Sequence, residues 1–353
     1  MRRAFLLFAA LSAAPIAQGQ DFFALVSSGT AEQVRQALAA GANVEMRYSR
    51  DETPLMLAAS QNPDPGVVSE LLRVGARIDD RDESGHTPLM YAVRANCKLE
   101  IVSALLRAGS LLEASDEDGA TPLILAVSGS PDPALISLLL KVGARVDSRS
   151  NEGWTPLMAA IRFMGEPGVI ALLLEAGAPV NDHNPDGASP LMLALASSAG
   201  VELVSQLVVA GARVDDLTPD GWSPLMVAAR YAASPEVVSA LLKAGANARE
   251  KNDAGITPLL IAAAGGSRDP AVISLLMKAG ANVNERAPDG RTPLMLAAQF
   301  TMVPAIVSAL LKAGASGKLK ADDGRTAYDY ASGNWIVKSN PVYQDLDAAR
   351  QDP

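Results

Sequence analysis

Apolar residues along this chain come in two short clusters that recur together, unit after unit. From Thr87, the first cluster is Leu89, Met90, Ala92 and Val93, and the second is Ile101, Val102, Leu105 and Leu106. The second set, at i, i+1, i+4 and i+5, lines one face of a helix. Thr87 stands ahead of the first cluster as an N-cap, and Pro88 takes the first helical position, where its missing N–H costs nothing. Gly109 follows the second cluster as a residue able to take the left-handed conformation that closes a helix. The pattern predicts two short helices per unit, a turn between them and a polar link to the next.

The unit is repeated at constant phase. Thr-Pro-Leu or Ser-Pro-Leu starts at Thr53, Thr87, Thr121, Thr155, Ser189, Ser223, Thr257 and Thr292, spaced by 34 residues six times and then by 35. A ninth copy, Thr326-Ala327-Tyr328, follows 34 residues later. A fixed period in the thirties marks a solenoid, whose units bury apolar surface only against their neighbours. Such a fold offers a groove to a partner and rarely carries chemistry of its own. Gly41, Gly75, Gly143, Gly177, Gly211, Gly245, Gly280 and Gly314 repeat the place of Gly109. Asp-Gly recurs in the links, as at Asp118-Gly119 and Asp220-Gly221, and predicts a hairpin-like finger. Pro65, Pro133, Pro167, Pro235, Pro270 and Pro304 open second helices, with Asp64, Asp132, Ser234 and Asp269 as their caps.

These motifs resemble those of the ankyrin repeat family, in which Thr-Pro-Leu-His opens the first helix and Gly-Ala-Asp-Val-Asn follows the second. Gly280-Ala281-Asn282-Val283-Asn284 and Thr292-Pro293-Leu294 carry the likeness, which extends over roughly residues 21 to 350. The resemblance implies an all-α ankyrin-repeat solenoid of stacked helix-turn-helix units joined by short fingers. Its expected divisions are a signal peptide at 1–19, an N-terminal capping repeat at 20–50, eight repeats over 51–323, and a C-terminal cap and tail at 324–353, whose second helix starts at Pro341. Two departures stand out. The units have 34 residues rather than 33. The family's histidine is replaced by Met56, Met90, Ile124, Met158, Met192, Met226, Leu260 and Met295, so packing is expected to stand in for its polar network.

Alternate repeats are more alike than adjacent ones. Near the end of the first helix, one set carries Arg94-Ala95, Arg162-Phe163, Arg230-Tyr231 and Gln299-Phe300, and the other Ser60-Gln61, Ser128-Gly129, Ala196-Ser197 and Ala264-Gly265. Trp154, Trp222 and Arg291 directly precede repeat openings. The family resemblance places these positions on a concave face. The expected protein-binding groove is therefore Arg94, Trp154, Arg162, Phe163, Trp222, Arg230, Tyr231, Arg291 and Phe300, rich in residue types that dominate interfaces. Duplication of a two-repeat unit would leave the same alternation with no role. Tryptophans stacked on sugars would instead make a carbohydrate or cell-wall binder.

Composition narrows the reading. Apolar residues make up 49% of the 353, but aromatics only 4%, which suits a core of closely packed short helices. Arg2-Arg3, the apolar run Ala4 to Ile16 and Ala17-Gln18-Gly19 read as an export signal cleaved after Gly19; Arg-Arg-Ala-Phe-Leu also resembles a twin-arginine signal. The run is too short to span a bilayer. Cys97 is the one cysteine, so no internal disulfide forms, and an exported chain of this kind fits a bacterial periplasm or cell surface. Without Arg2 and Arg3 the 30 basic residues fall to 28 against 39 acidic ones, a formal charge of −11. That speaks against nucleic acid and anionic lipid as partners. No catalytic set emerges. His86 and His183 lie in different fingers, and Cys97 reads as a half-buried residue of an inter-helix turn. Asp79-Asp80-Arg81-Asp82-Glu83 and Asp116-Glu117-Asp118 read as solvated turn carboxylates without calcium-loop spacing. Gly265-Gly266 lacks the sequence of a phosphate loop. The expectation is a monomeric, non-enzymatic scaffold for a protein partner, with no cofactor and no metal.

Overall fold

The computed structural model describes residues 20–95, 98–129, 132–163 and 166–351, and every regular element among them is helical. Residues 1–19, expected to be a signal peptide, and Cys97 lie outside the described residues. The chain divides into two compact units, Met1–Asn151 and Glu152–Pro353.

The first unit holds four helix pairs: Gln20–Ser28 with Ala31–Ala39, Pro54–Gln61 with Pro65–Arg73, Pro88–Arg94 with Leu99–Arg107, and Pro122–Ser128 with Pro133–Lys141. First helices pack on first helices and second on second. That layering explains their different compositions. Pro88, Leu89, Met90, Ala92 and Val93 of one first helix are all buried, because neighbours cover it on several sides. In its second helix Ile101, Val102 and Leu105 are buried while Glu100 and Arg107 face water. Each such Leu, Ile or Val contributes roughly 1.5–3 kcal/mol by leaving water. The first pair lacks the Pro-Leu opening and uses a capping box instead, with Thr30 bonded to Gln33 in both directions. Asn62 ties this pair down by donating to the carbonyls of Val26 and Gly29, both at 2.9 Å.

The second unit repeats the scheme from Pro156–Arg162 and Pro167–Glu175 to Pro293–Phe300 and Pro304–Lys312. It ends in Ala327–Ala331, a one-turn helix Trp335–Lys338, and Val342–Gln351. The last helix begins one residue after Pro341, and Asn340 Oδ1 accepts the Val342 N–H at 3.1 Å. Tyr328 stacks on Tyr343 at 4.5 Å, and the Arg350 guanidinium lies over Tyr328 at 4.1 Å.

The start signals act as the pattern predicts. Thr53, Thr87, Thr121, Thr155, Ser189, Ser223, Thr257, Thr292 and Thr326 each accept the N–H three residues on. Asp64, Asp132, Ser234 and Asp269 cap their second helices through the side chain. The methionines that replace the family's histidine are buried, at 0–2% exposure, and so fill space as expected. They also do something unforeseen. The sulfurs of Met56, Met90 and Met295 sit 3.3, 3.4 and 3.4 Å from the cap N–H of Thr53, Thr87 and Thr292, a polar role for an apolar side chain.

The extra residue of the Thr257 repeat has a definite place. Its first helix, Pro258–Ile261, widens into a π-turn over Ala262–Gly266, and Ser267 N–H donates to the Ala262 carbonyl at 3.2 Å. Gly266 is obligatory there, since a Cβ would stand 2.4 Å from the Ala229 carbonyl oxygen.

Candidate functional site

Most fingers close on themselves. The N–H of Asp82, Asp116, Asn184, Thr218, Asn252, Ala287 and Ala321 donates to the carbonyl four residues on. In five of these fingers the same residue also accepts that later residue's N–H through its side chain. Neighbouring fingers are bonded through backbone, as in Glu117 N–H to Ser84 O at 3.0 Å and Asp253 N–H to Asp220 O at 3.2 Å. In these fingers the residue just before the Thr or Ser opening is thus held on a closed loop, as His86 and Arg291 are, each bonded to the end of its own first helix.

In the first unit this rigidity organises a polar cluster that the sequence did not reveal. His86 lies with Nδ1 3.2 Å from Asp82 Oδ2 and Nε2 3.5 Å from Asp116 Oδ2. The Tyr91 hydroxyl is 2.8 Å from Asp82 Oδ2 and 3.1 Å from Glu52 Oε1. Asp82 and Asp116 have only 5% of their side chains exposed, so the reading of these two as solvated turn carboxylates is corrected. Burial alone would raise the Asp82 carboxyl, but bonds from Tyr91 and His86 outweigh it and hold it below its ordinary range; the Tyr91 hydroxyl is pushed up by burial and by Asp82. Arg94, a predicted groove residue, is exposed at its helix end, with Nη1 2.8 Å from His86 Nε2. It edges a depression of about 500 Å³ with His86, Asp116, Ser128 and Gly129. The available signal was the Asp or Asn five residues before a repeat opening, which marks a turn-closing side chain rather than a free carboxylate.

In the second unit the predicted residues fall into separate groups. Trp154 is half-buried, with the exposed Arg162 guanidinium 5.5 Å from its ring centre. Phe163 and Tyr231 follow the last residue of their first helices and are 55% and 48% exposed. Trp222, Arg230, Arg291 and Phe300 are brought together around one depression of about 620 Å³. Leu260 and Ile261 of the helix Pro258–Ile261, and Ala264 and Gly266 of the π-turn, also line it. The Arg291 guanidinium lies over Phe300 at 5.6 Å and bonds Asp289 Oδ2 at 2.6 Å and Gln299 Oε1 at 2.9 Å. The exposed Arg230 has no hydrogen bond or ion pair among the described residues. Among those residues no group of three or more His, Cys, Asp or Glu is placed to hold a metal ion. None of their helices is long and apolar enough to cross a membrane.

A family profile described as ankyrin repeats in three copies matches the chain six times, over 22–116, 96–184, 169–252, 191–287, 225–321 and 259–339. The chain belongs to the ankyrin repeat family. Among solved structures it is similar to the ankyrin repeat domain of Bcl-3, described as a unique member of the IkappaB protein family, at 28% identity and a TM-score of 0.57, over 64% of this chain and 98% of that one. It is likewise similar to the human ASB11 ankyrin repeat domain, at 28% identity and a TM-score of 0.55, over 65% and 98%. No match to this chain was found among the curated proteins. Ankyrin repeats generally mediate protein–protein interaction and are typically non-enzymatic.

Proposed function

We propose that this chain is a non-enzymatic binding scaffold, exported to the periplasm or cell surface after loss of residues 1–19, that holds a protein partner against its first-helix ends and finger bases. One observation carries the reading: Phe163, Tyr231 and Phe300 are each about half exposed at equivalent helix ends. Arginines accompany them at Arg162, Arg230 and Arg291. Aromatic and Arg side chains are the commonest interface anchors, and a stack of bonded fingers loses little entropy when it binds. A sugar would need the face of a tryptophan ring, and in Trp154 the Arg162 guanidinium already stands 5.5 Å from the ring centre.

The test is capture of a partner from envelope extract by the mature chain. Phe163→Ala and Tyr231→Ala should each weaken capture with the melting temperature nearly unchanged, as for surface positions costing under about 0.5 kcal/mol. Normal capture with early melting would make these residues structural. N-terminal sequencing of the secreted form should begin at Gln20; a retained Arg2 would end the export reading.

A further inference from the structure

We infer that the depression over the Thr257 repeat is a specificity pocket for one large apolar side chain, aromatic by preference, carried beside a carboxylate on an extended segment of the partner. The inference rests on the protein-binding reading above and names the chemistry of what is bound.

The first support is how the pocket is made. The Thr257 repeat is one residue longer than those before it, and the added residue is taken up as the π-turn Ala262–Gly266. π-turns are rare and frequent at functional sites. This one is the single π segment among the described residues. It presents Ala264 and two glycines where the repeats on either side carry Arg230-Tyr231 and Gln299-Phe300. Ala264 and Gly266 line the depression together with Trp222 and Phe300. The volume, about 620 Å³, lies within the range of pockets that enclose small ligands. Alternation of large and small helix ends therefore builds a compartment here rather than a uniform trough.

The second support is charge. Both rims carry an arginine, but they are not equivalent. Arg291 is committed to Asp289, Gln299 and Phe300, so the one carboxylate lining the pocket is already neutralised. Arg230 on the other rim is unpaired among the described residues, on a chain whose formal charge is −9. An occupant that fills the apolar space and places a carboxylate at Arg230 satisfies both features, through the bidentate bond that guanidinium and carboxylate form.

The experiment is selection of a phage-displayed random peptide library on the immobilised mature chain. It is followed by titration of the selected peptide, read by Trp222 fluorescence in a Trp154→Phe, Trp335→Phe background. Enriched peptides should place Phe, Tyr, Trp or Leu next to Asp or Glu. Ala264→Leu fills an exposed lining position, should leave the melting curve unchanged, and should weaken the selected peptide at least tenfold. Arg230→Glu should turn the selection toward Lys or Arg beside the same apolar residue. Absence of that enrichment, or a selected peptide indifferent to both variants, overturns the inference. So does quenching of Trp222 by oligosaccharides where peptides have no effect. If the native partner is lost with Phe163→Ala but kept with Ala264→Leu, the scaffold reading stands and the pocket assignment falls.

Discussion

Replacing Met90 by Leu should cost more than the same change at Met158, although both side chains are fully buried at the same position of their repeats. The two substitutions conserve volume and polarity class alike, and such swaps usually cost under about 1.5 kcal/mol. The difference lies in the backbone. Met90 Sδ is 3.4 Å from the N–H of Thr87, a residue only 1% exposed, and no water reaches that donor if the sulfur is removed. At Met158 the cap bond is the hydroxyl of Thr155 accepting the Met158 N–H at 3.3 Å, and this survives the change. Loss of a net hydrogen bond is worth about 0.5–1.5 kcal/mol, and stranding a buried donor lies toward the upper end. Met90→Leu should therefore exceed Met158→Leu by about 1 kcal/mol, and Met56→Leu and Met295→Leu should follow Met90. Matched urea titrations at equal m-value, with amide exchange at Thr87 as the local readout, measure it. Equal losses at Met90 and Met158, with unaltered exchange at Thr87, would reduce the sulfur contact to packing.

Four further outcomes follow from the same geometry. Glu285 is raised above its ordinary 4.5 by burial, so its favourable contribution is complete below that pH and disappears as the pH climbs through the raised value; Glu285→Gln should stabilise the fold near neutrality and change little in acid, by thermal melts across pH. Asp82 has the opposite sign: its contribution is complete above 3.8 and lost as pH falls through the lowered folded value, so Asp82→Asn, which keeps the turn bonds that Asn184 and Asn252 make, should cost about 1 kcal/mol near neutrality and nothing at the acid end. Gly143→Ala meets open space at φ +99° and should cost only the left-handed strain, about 1–2 kcal/mol, whereas Gly187→Ala adds a Cβ 2.2 Å from Pro219 Cδ and should melt lower still. Under mild peroxide Met302, 75% exposed, should oxidise first without effect on the melt; oxidation of the buried methionines should then lower it sharply, and an unchanged midpoint with those sulfoxides confirmed by mass mapping would contradict the argument.

Most of the fold was legible because local chemistry and tertiary packing ask for the same residues. A Thr or Ser before Pro both caps the first helix and fixes the unit's phase, and a glycine after the second helix has φ near +90° throughout. The candidate site was legible only in part. Phe163 and Tyr231 were candidates because they are large at a helix end where alternate repeats are small, and both are about half exposed there. The His86 cluster was not a candidate, because Asp82 and Asp116 read as ordinary turn acids until neighbouring fingers stack and bring Asp116 to the far side of the His86 ring. A contact made only by stacking has no local spacing to announce it.

The single 35-residue interval shows how much a small irregularity in a repeat can carry. Eight equal units would make the Thr257 repeat's helix end like that of its alternate partners, small but flush. One added residue could have been absorbed in a finger, in the inter-helix turn or in a helix. It went into the first helix, where a π-turn leaves two glycines against the Ala229 and Phe300 carbonyls and keeps the second helix opening at Pro270, one place late. The consequence is local: the neighbours keep Trp222 and Phe300, and only the segment between them changes. A duplication alone explains why alternate repeats are alike. It does not explain why the one repeat that breaks the period does so at the depression where Trp222, Arg230, Arg291 and Phe300 meet. Deleting Gly265 is therefore the most direct way to separate the two: restored 34-residue spacing should preserve the fold and abolish the pocket.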